Sequence, residues 1–278
     1  MNIREIVAHA LAEDCGTGDV TTKALFPANV PASGTMIAEE PEGLVVAGLA
    51  VAVEVFSHVD TSLVCTTHFA DGDRIRAGAT VLTVTGDGRS MLQGERVALN
   101  FLQRLSGIAT LTAKFCDAVK GFKTRIVDTR KTTPGLRALE KWAVTLGGGW
   151  NHRQSLADGI LIKDNHLALA GGDVARACRL ARERAPHSLK IEVEVQSLDA
   201  VKAALDGGAD IILLDNMNVP TICKAIELIK GRATIEVSGG VTLSHVREIA
   251  AAGADLISVG ALTHSAPAAR FSMDIVPK

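Results

Sequence analysis

The 278-residue chain has no tyrosine, and aromatic residues make up only 3% of it. Sequence-tolerant nucleic-acid binding needs aromatic platforms for base stacking, and paratope-like surfaces lean on tyrosine, so both classes are disfavoured. A basic excess is missing too. Lys and Arg number 29 against 31 Asp and Glu, giving a formal net charge of −2 and no general pull toward nucleic acid or an anionic membrane. Cysteine is sparse: Cys15, Cys65, Cys116, Cys178 and Cys223 are odd in number and include no CxxC pair, which argues against a disulfide framework or zinc ribbon and predicts reduced core thiols. Long apolar runs are also lacking, since none nears the ~20 residues of a membrane span. The N-terminus, MNIREIVAHALAEDCG, meets acidic residues before any such run. The expectation is a cytoplasmic protein with neither nucleic acid nor membrane as partner.

What is present fits an α/β enzyme: 47% hydrophobic residues, 26 glycines, and a length suited to one large α/β domain or two unequal ones. Ile3, Ile6, Val7, Ala10 and Leu11 follow a helical rhythm that the Gly- and Thr-rich run Cys15 to Thr22 ends. Between 34 and 86 the β-like runs GTMIAEE, GLVVAGLAVAVEVF, SLVCTTHF and ATVLTVTG are punctuated by Gly and Asp, predicting a strand-rich N-terminal α/β domain over 1–110. GLVVAG and DGDRIRAGATVLTVTG are similar to the glycine-turned strands of biotinyl and lipoyl carrier domains. Those carriers need a lysine at a hairpin tip, and none lies between Lys23 and Lys114, so these strands are scaffold.

A long helix is expected from Gly94 to about Val119. Beyond it, TRIVDT, GILIKD, KIEVEV, DIILLDN, TIEVSG and DLISVG are each separated by enough chain for a crossover helix, the pattern of a parallel sheet. The near-continuous apolar IILL and ILI are typical of strands buried on both faces. Residues 111–266 are too few for eight full βα units, which take ~250 residues. An open α/β barrel of six or seven strands is expected there, with the tail 267–278 packing back on the first domain.

Nearly every one of these strands ends in a charged or glycine-rich group: Asp128-Thr129-Arg130-Lys131, Lys163-Asp164-Asn165-His166, Glu194, Asp215-Asn216, Ser238-Gly239-Gly240 and Gly260-Ala261. One charged strand end is ordinarily a solvated edge; several in register at the C-terminal face of a barrel predict a site. The SGG and GAL ends fall on late strands, where backbone N–H groups commonly bind phosphate. Glu194 and Asp215 could hold Mg²⁺ or sugar hydroxyls, or form salt bridges to the lysines opposite. Glu192 shares a face with Glu194 by strand alternation, and the pattern does not choose between them.

Positive charge collects at Arg130, Lys131, Arg137, Lys141, His152, Arg153 and Lys163, a group suited to an anion with several carboxylates or phosphates. Arg137 and Lys141 read as a solvated helix face paired with Glu140. His152, flanked by GGG and Arg153, is placed for close ligand approach.

The string DTRKTTPGLRALEKWAVTLGGGWNHR, continued by SLADGILIKDNH, resembles the signature region of the quinolinate phosphoribosyltransferases. The likeness extends to ALAEDCGTGDVTT, ERVALNFLQRLSGIATLT, IEVEV, DIILLDN, IEVSGGV and DLISVGALTHSA, covering nearly the whole chain. It implies an open barrel of about seven strands beside a smaller N-terminal domain, in a homodimer with shared active sites. The implied reaction joins quinolinate to phosphoribosyl pyrophosphate with decarboxylation, yielding nicotinate mononucleotide for NAD biosynthesis. Arg130, Arg153 and Lys163 would bind the two carboxylates, with Thr129, Lys131 and His152 beside them and Arg96 entering from the second subunit. Glu194 and Asp215 would hold the ribose and its Mg²⁺, directly or through pyrophosphate. Ser238, Gly239, Gly240, Gly260, Ala261 and His264 would surround the 5′-phosphate. Lys131, Lys163, Glu194 and Asp215 are the expected catalytic set.

Two positions depart from the family pattern: Ser155 replaces a usual glycine in HRxGL, and Trp142 stands where tyrosine is common. If that glycine needs positive φ, Ser155 would strain the turn after Arg153. Retention of both LIKDNH and NHR favours the quinolinate enzymes over the related molybdenum-transport-associated proteins, and pyrophosphate release would separate either from a non-catalytic binder.

Overall fold

In a computed structural model, which describes residues 2–278, the chain forms two units. One holds residues 2–113, 132–148 and 263–278; the other holds 114–131 and 149–262. The segment 132–148, expected in the barrel, thus clusters with the N-terminal unit.

Asn2 starts the first helix, α1 (Ile3–Cys15), with a reciprocal cap in which its side chain accepts from the Arg4 N–H and its own N–H donates to Glu5 at 2.9 Å. There follow α2 (Val20–Leu25), β1 (Pro31–Ala38), β2 (Leu44–Val45), α3 (Leu49–Val59), β3 (Val64–Thr67), β4 (Arg74–Ile75), β5 (Thr80–Asp87) and α4 (Gly88–Ala118). The β-like run LAVAVEVF is a correction, because it folds as α3. Leu49, Ala52, Val55 and Phe56 recur at helical spacing and are fully buried, so packing overrides the β preference of the valines. Asp71 secures the helix start by accepting from the N–H groups of Gly48, Leu49 and Ala50 at 2.6, 2.9 and 3.2 Å.

The barrel unit begins with β6 (Arg125–Val127), after which α5 (Arg137–Leu146) belongs to the first unit. Then come β7 (Ile160–Ile162), α6 (Asp164–Leu169), α7 (Val174–Arg184), β8 (Ile191–Val195), α8 (Leu198–Asp206), β9 (Ile211–Asp215), α9 (Val219–Ile229), β10 (Thr234–Ser238), α10 (Val246–Ala252) and β11 (Leu256–Ser258). The six strands form a parallel sheet in the order β6-β11-β10-β9-β8-β7. Where about seven were expected, the seventh is a single parallel rung: Trp150 bridges Val127 on the outer side of β6. Among the described residues no rung joins Trp150 to β7, so the barrel has a seam there, occupied by residues 151–159.

Register then sorts the side chains. Leu161 pairs with Glu192, Glu194 with Leu213, Leu213 with Glu236, and Asp215 with Ser238; paired and alternate residues share a face. That face is the barrel interior, and it carries the charged strand residues. The opposite face presents Ile191, Val193, Ile212, Leu214, Ile235 and Val237, all buried, for the helices to cover.

The chain ends with α11 (Ala261–His264) and β12 (Phe271–Pro277). β12 pairs antiparallel with β1 in a sheet ordered β12-β1-β5-β3, placing the tail with the first unit. No helix among the described residues is long and apolar enough to cross a membrane. No disulfide joins the five cysteines, but only Cys178 is a core thiol; Cys223 is exposed and the other three are half-buried.

Candidate active site

Strand ends bring Lys163, Glu194, Asp215 and Ser238 to one rim of the barrel. Lys163 follows β7 directly, and its Nζ lies 3.4 Å from Oε2 of Glu194, a carboxylate near the end of the neighbouring β8. Of the two alternatives for Glu194, the structure shows the salt bridge to a lysine. Asp215 ends β9, where its Oδ2 accepts from Gln196 Nε2 at 3.2 Å and Asn216 Nδ2 at 2.7 Å.

Asn216 has a left-handed backbone with φ 54°, and its N–H donates to the Ser238 carbonyl at 3.0 Å, tying the ends of β9 and β10 together. That contact dictates the residue after Ser238. A Cβ on Gly239, whose φ is 90°, would fall 2.2 Å from Asn216 Oδ1, so only glycine fits. Gly260 and Ala261 lie just beyond β11 on the same rim. Thr129 Oγ1 receives the Lys131 N–H at 3.1 Å, which turns the chain after β6, with Arg130 half-buried and Lys131 exposed. Of the remaining expected residues, Arg96 is exposed on α4, and His264 Nδ1 lies 2.6 Å from Ser265 Oγ; both are in the first unit.

The seam supplies the rest. Trp150 exchanges backbone hydrogen bonds with Ile126 and Asp128, and the fully buried Asp128 accepts the His152 N–H at 2.9 Å. The imidazole reaches across the interior: Nε2 lies 3.3 Å from Glu192 and 3.5 Å from Glu236, carboxylates that are 6% and 1% exposed. Next in the chain, Arg153 donates through Nη1 to the Gly159 carbonyl at 3.2 Å. Burial lowers the Arg153 pKa, and the neighbouring Arg130 cation lowers it further. Two guanidiniums held in mutual repulsion are arranged for an anion.

The protonation of His152 is set by opposing influences. Burial disfavours the charged ring, but hydrogen bonds and charge from Glu192 and Glu236 outweigh it and push the pKa up to about 10. Against this, the Arg153 N–H donates to Nδ1 at 2.8 Å, and only an unprotonated nitrogen can accept it. The peptide plane fixes the direction of that N–H, so we assign the neutral ring with its proton on Nε2. Burial raises the pKa of Glu192, and the neighbouring Glu236 reinforces it. His152, Glu192 and Glu236 bring possible ligand atoms within 4.8 Å of one another.

Several expectations need revising. Lys141 and Glu140 are not a solvated face: they are 1% and 0% exposed, and Glu140 accepts from Arg104 at 2.8 Å and from the Thr133 N–H at 3.0 Å. Arg137 is half-buried and bonds Thr132. Ser155 brings no left-handed strain, since positive φ outside glycine occurs only at Asn216 and Lys230 among the described residues. Asp128 and Glu236 are not singled out by the sequence as individual site residues, and Glu192 is passed over there, because the resemblance selects Glu194. Strand alternation was the available signal for Glu236, because it repeats the inward position held by Glu194.

An open parallel barrel with acidic and basic strand ends gathered on one rim defines an α/β-barrel enzyme. Family models agree: residues 19–106 match the quinolinate phosphoribosyl transferase N-terminal domain and 108–274 its C-terminal domain. The NadC structure from Streptococcus pyogenes superposes with TM-score 0.93 at 43% identity, covering 99% of this chain and 97% of that one. The nicotinate-nucleotide pyrophosphorylase of Francisella tularensis gives TM-score 0.93 at 37% identity, over 99% and 96% of the two chains. The chloroplastic nicotinate-nucleotide pyrophosphorylase (carboxylating) of Arabidopsis thaliana is 42% identical over 99% of this chain and 83% of its own length. The chain belongs to the quinolinate phosphoribosyltransferase family.

Proposed function

We propose that this barrel joins quinolinate to phosphoribosyl pyrophosphate and releases pyrophosphate, CO₂ and nicotinate mononucleotide, a step of NAD biosynthesis. The observation that carries the reading is the Lys163–Glu194 pair at 3.4 Å, with Asp215 on the same interior face of the next strand; the mutually repelling Arg130 and Arg153 guanidiniums support it as cations for a dianion. Arg130 and Arg153 take the two ring carboxylates bidentately and turn the pyridine nitrogen toward the anomeric carbon. Lys163, held by Glu194, sits between the two halves of the site, and Lys131 adds charge at the rim. Ser238, Gly239, Gly240, Gly260 and Ala261 offer backbone N–H groups to the 5′-phosphate, with His264 nearby.

Glu194 and Asp215 fit a hard divalent cation, being oxygen donors on one interior face at the ends of adjacent strands. They would hold Mg²⁺ directly or through pyrophosphate. Bound Mg²⁺ supplies neutralisation of the departing pyrophosphate charge. The nitrogen–carbon bond forms as the bond from the anomeric carbon to pyrophosphate breaks. The ring nitrogen, now cationic, accepts the electron pair left when the 2-carboxylate departs as CO₂, and C2 takes up a proton. For that second step the chain's task is to position and desolvate the carboxylate.

We further propose a homodimer in which Arg96 of the partner subunit completes the site. A cytoplasmic setting is our reading, supported by the lack of disulfides. The test is product analysis with both substrates: nicotinate mononucleotide and pyrophosphate in equal amounts are expected. Retention of phosphoribosyl pyrophosphate without turnover when quinolinate is added would make the protein a binder instead.

A further inference from the structure

Residues 151–159 lie in the barrel seam and have no strand ladder to hold them, yet the loop carries Arg153, one of the guanidiniums assigned to quinolinate. Its placement rests on discrete anchors. Asp128 takes the His152 backbone N–H, and the His152 ring spans the interior to the carboxylates of β8 and β10. The other ring nitrogen accepts the Arg153 N–H. Backbone and ring of His152 are thus both fixed, and the peptide that bears Arg153 is bonded to that ring. The ring and Arg153 line a cavity of about 360 Å³ together with Glu192 and Glu236.

The two acids are costly where they stand. A buried carboxyl without a compensating hydrogen bond is strongly disfavoured, and leucine at these interior positions would pack as Leu161 and Leu213 do. Glu192 Oε1 and both carboxyl oxygens of Glu236 have no hydrogen-bond partner in the protein, so these acids are not retained for their own satisfaction. What both do share is the approach of His152 Nε2, at 3.3 and 3.5 Å.

We propose that Glu192 and Glu236 are positioning residues for the quinolinate clamp: Glu192, the acceptor for the His152 Nε2–H, and Glu236, whose carboxyl lies 3.5 Å from the same nitrogen, set the orientation of that ring and, through its second nitrogen, the place of Arg153. Neither need touch substrate. The inference deepens the proposed quinolinate reading and rests on it for its kinetic arm.

The experiment compares Glu236→Leu, which keeps volume and removes the acceptor, with Glu236→Gln, which keeps the acceptor and removes the charge, and repeats both at Glu192. KM for quinolinate should rise about tenfold or more in the leucine variants, in line with the cost of a small misplacement of a clamping group. KM for phosphoribosyl pyrophosphate and the melting temperature should change little, and the glutamine variants should stay within about threefold of wild type. Equal rises in both KM values, or equal damage from Gln and Leu, would overturn the proposal. Should a leucine variant fail to fold, ¹⁵N-histidine spectra of the wild-type protein decide: His152 must show a protonated Nε2 and an unprotonated Nδ1, and the reverse refutes the anchoring. Calorimetric titration of wild type with quinolinate separates the two readings. Absent binding overturns the substrate assignment, whereas normal binding with unchanged quinolinate affinity in the leucine variants overturns the positioning role alone.

Discussion

Lys163 and Glu194 face each other at 3.4 Å across the junction of β7 and β8, with the lysine side chain 44% exposed and the carboxylate 12% exposed. A surface ion pair of this kind adds little stability by itself. Its value is positional: a cation is held beside the carboxylate at the end of the neighbouring strand.

Glu194→Ala and Asp215→Ala are each expected to weaken use of phosphoribosyl pyrophosphate far more than binding of quinolinate, because these acids face sugar and metal. Steady-state kinetics with each substrate varied in turn will show it, and equal losses for both would contradict the assignment. Thorough metal depletion should abolish turnover and Mg²⁺ should restore it; activity that survives chelation removes the ion from the account.

Arg96 lies on α4, far in sequence from the barrel residues. Inactive Arg96→Ala and Lys163→Ala chains, mixed and allowed to exchange, should regain activity in heterodimers that contain one intact site. Verified heterodimers that stay inactive would mean Arg96 acts within its own chain or has no role.

Discrimination against nicotinate, which lacks the 2-carboxylate, should be strong. Removing one carboxylate leaves desolvated cations unpaired at a cost of ~2–5 kcal/mol, or about 30- to 5,000-fold in kcat/KM. Arg130→Ala and Arg153→Ala should lower quinolinate efficiency by a similar factor without unfolding the chain, since both residues sit on loops. Comparable kcat/KM values for the two acids would sink the dicarboxylate clamp.

At the other end of the chain's architecture, Asp71→Ala removes the acceptor for three N–H groups at the start of α3. The expected loss is about 1–2 kcal/mol, a fall of a few degrees in Tm. Activity of the remaining folded protein should be unaffected, which thermal denaturation alongside a kinetic assay will check.

Gly239→Ala should be much more harmful than a surface Gly→Ala change, because the added methyl meets Asn216. Pairing it with Asn216→Gly removes the clashing side chain and should recover part of the lost activity. No recovery would place the requirement in the φ of Gly239 and in the Asn216 backbone nitrogen, 2.8 Å from the added methyl, rather than in the Asn216 side chain.

Much of this protein could be read from its sequence because the decisive patterns are local. Parallel strands buried on their helix-facing side need an apolar residue at alternate positions, so TRIVDT through DLISVG stand out, and their charged ends stand out equally. The family signature around Asp128–Arg153 is contiguous for the same reason: one strand, one turn and one loop carry it.

What tertiary structure decided is where packing outweighs local preference or where the partners are distant in sequence. LAVAVEVF has the valines of a strand, but Leu49, Ala52, Val55 and Phe56 bury as a helix and Asp71 caps it from 22 residues beyond Leu49. Lys141 reads as a solvated helix residue and is buried instead, beside a Glu140 bound to Arg104 on another helix. The meeting of His152 with Glu192 and Glu236 requires the barrel itself. Alternation gives each acid an inward direction, but only the closing curvature of the sheet brings β8, β10 and the seam loop to one point, and no periodicity along the chain encodes that distance.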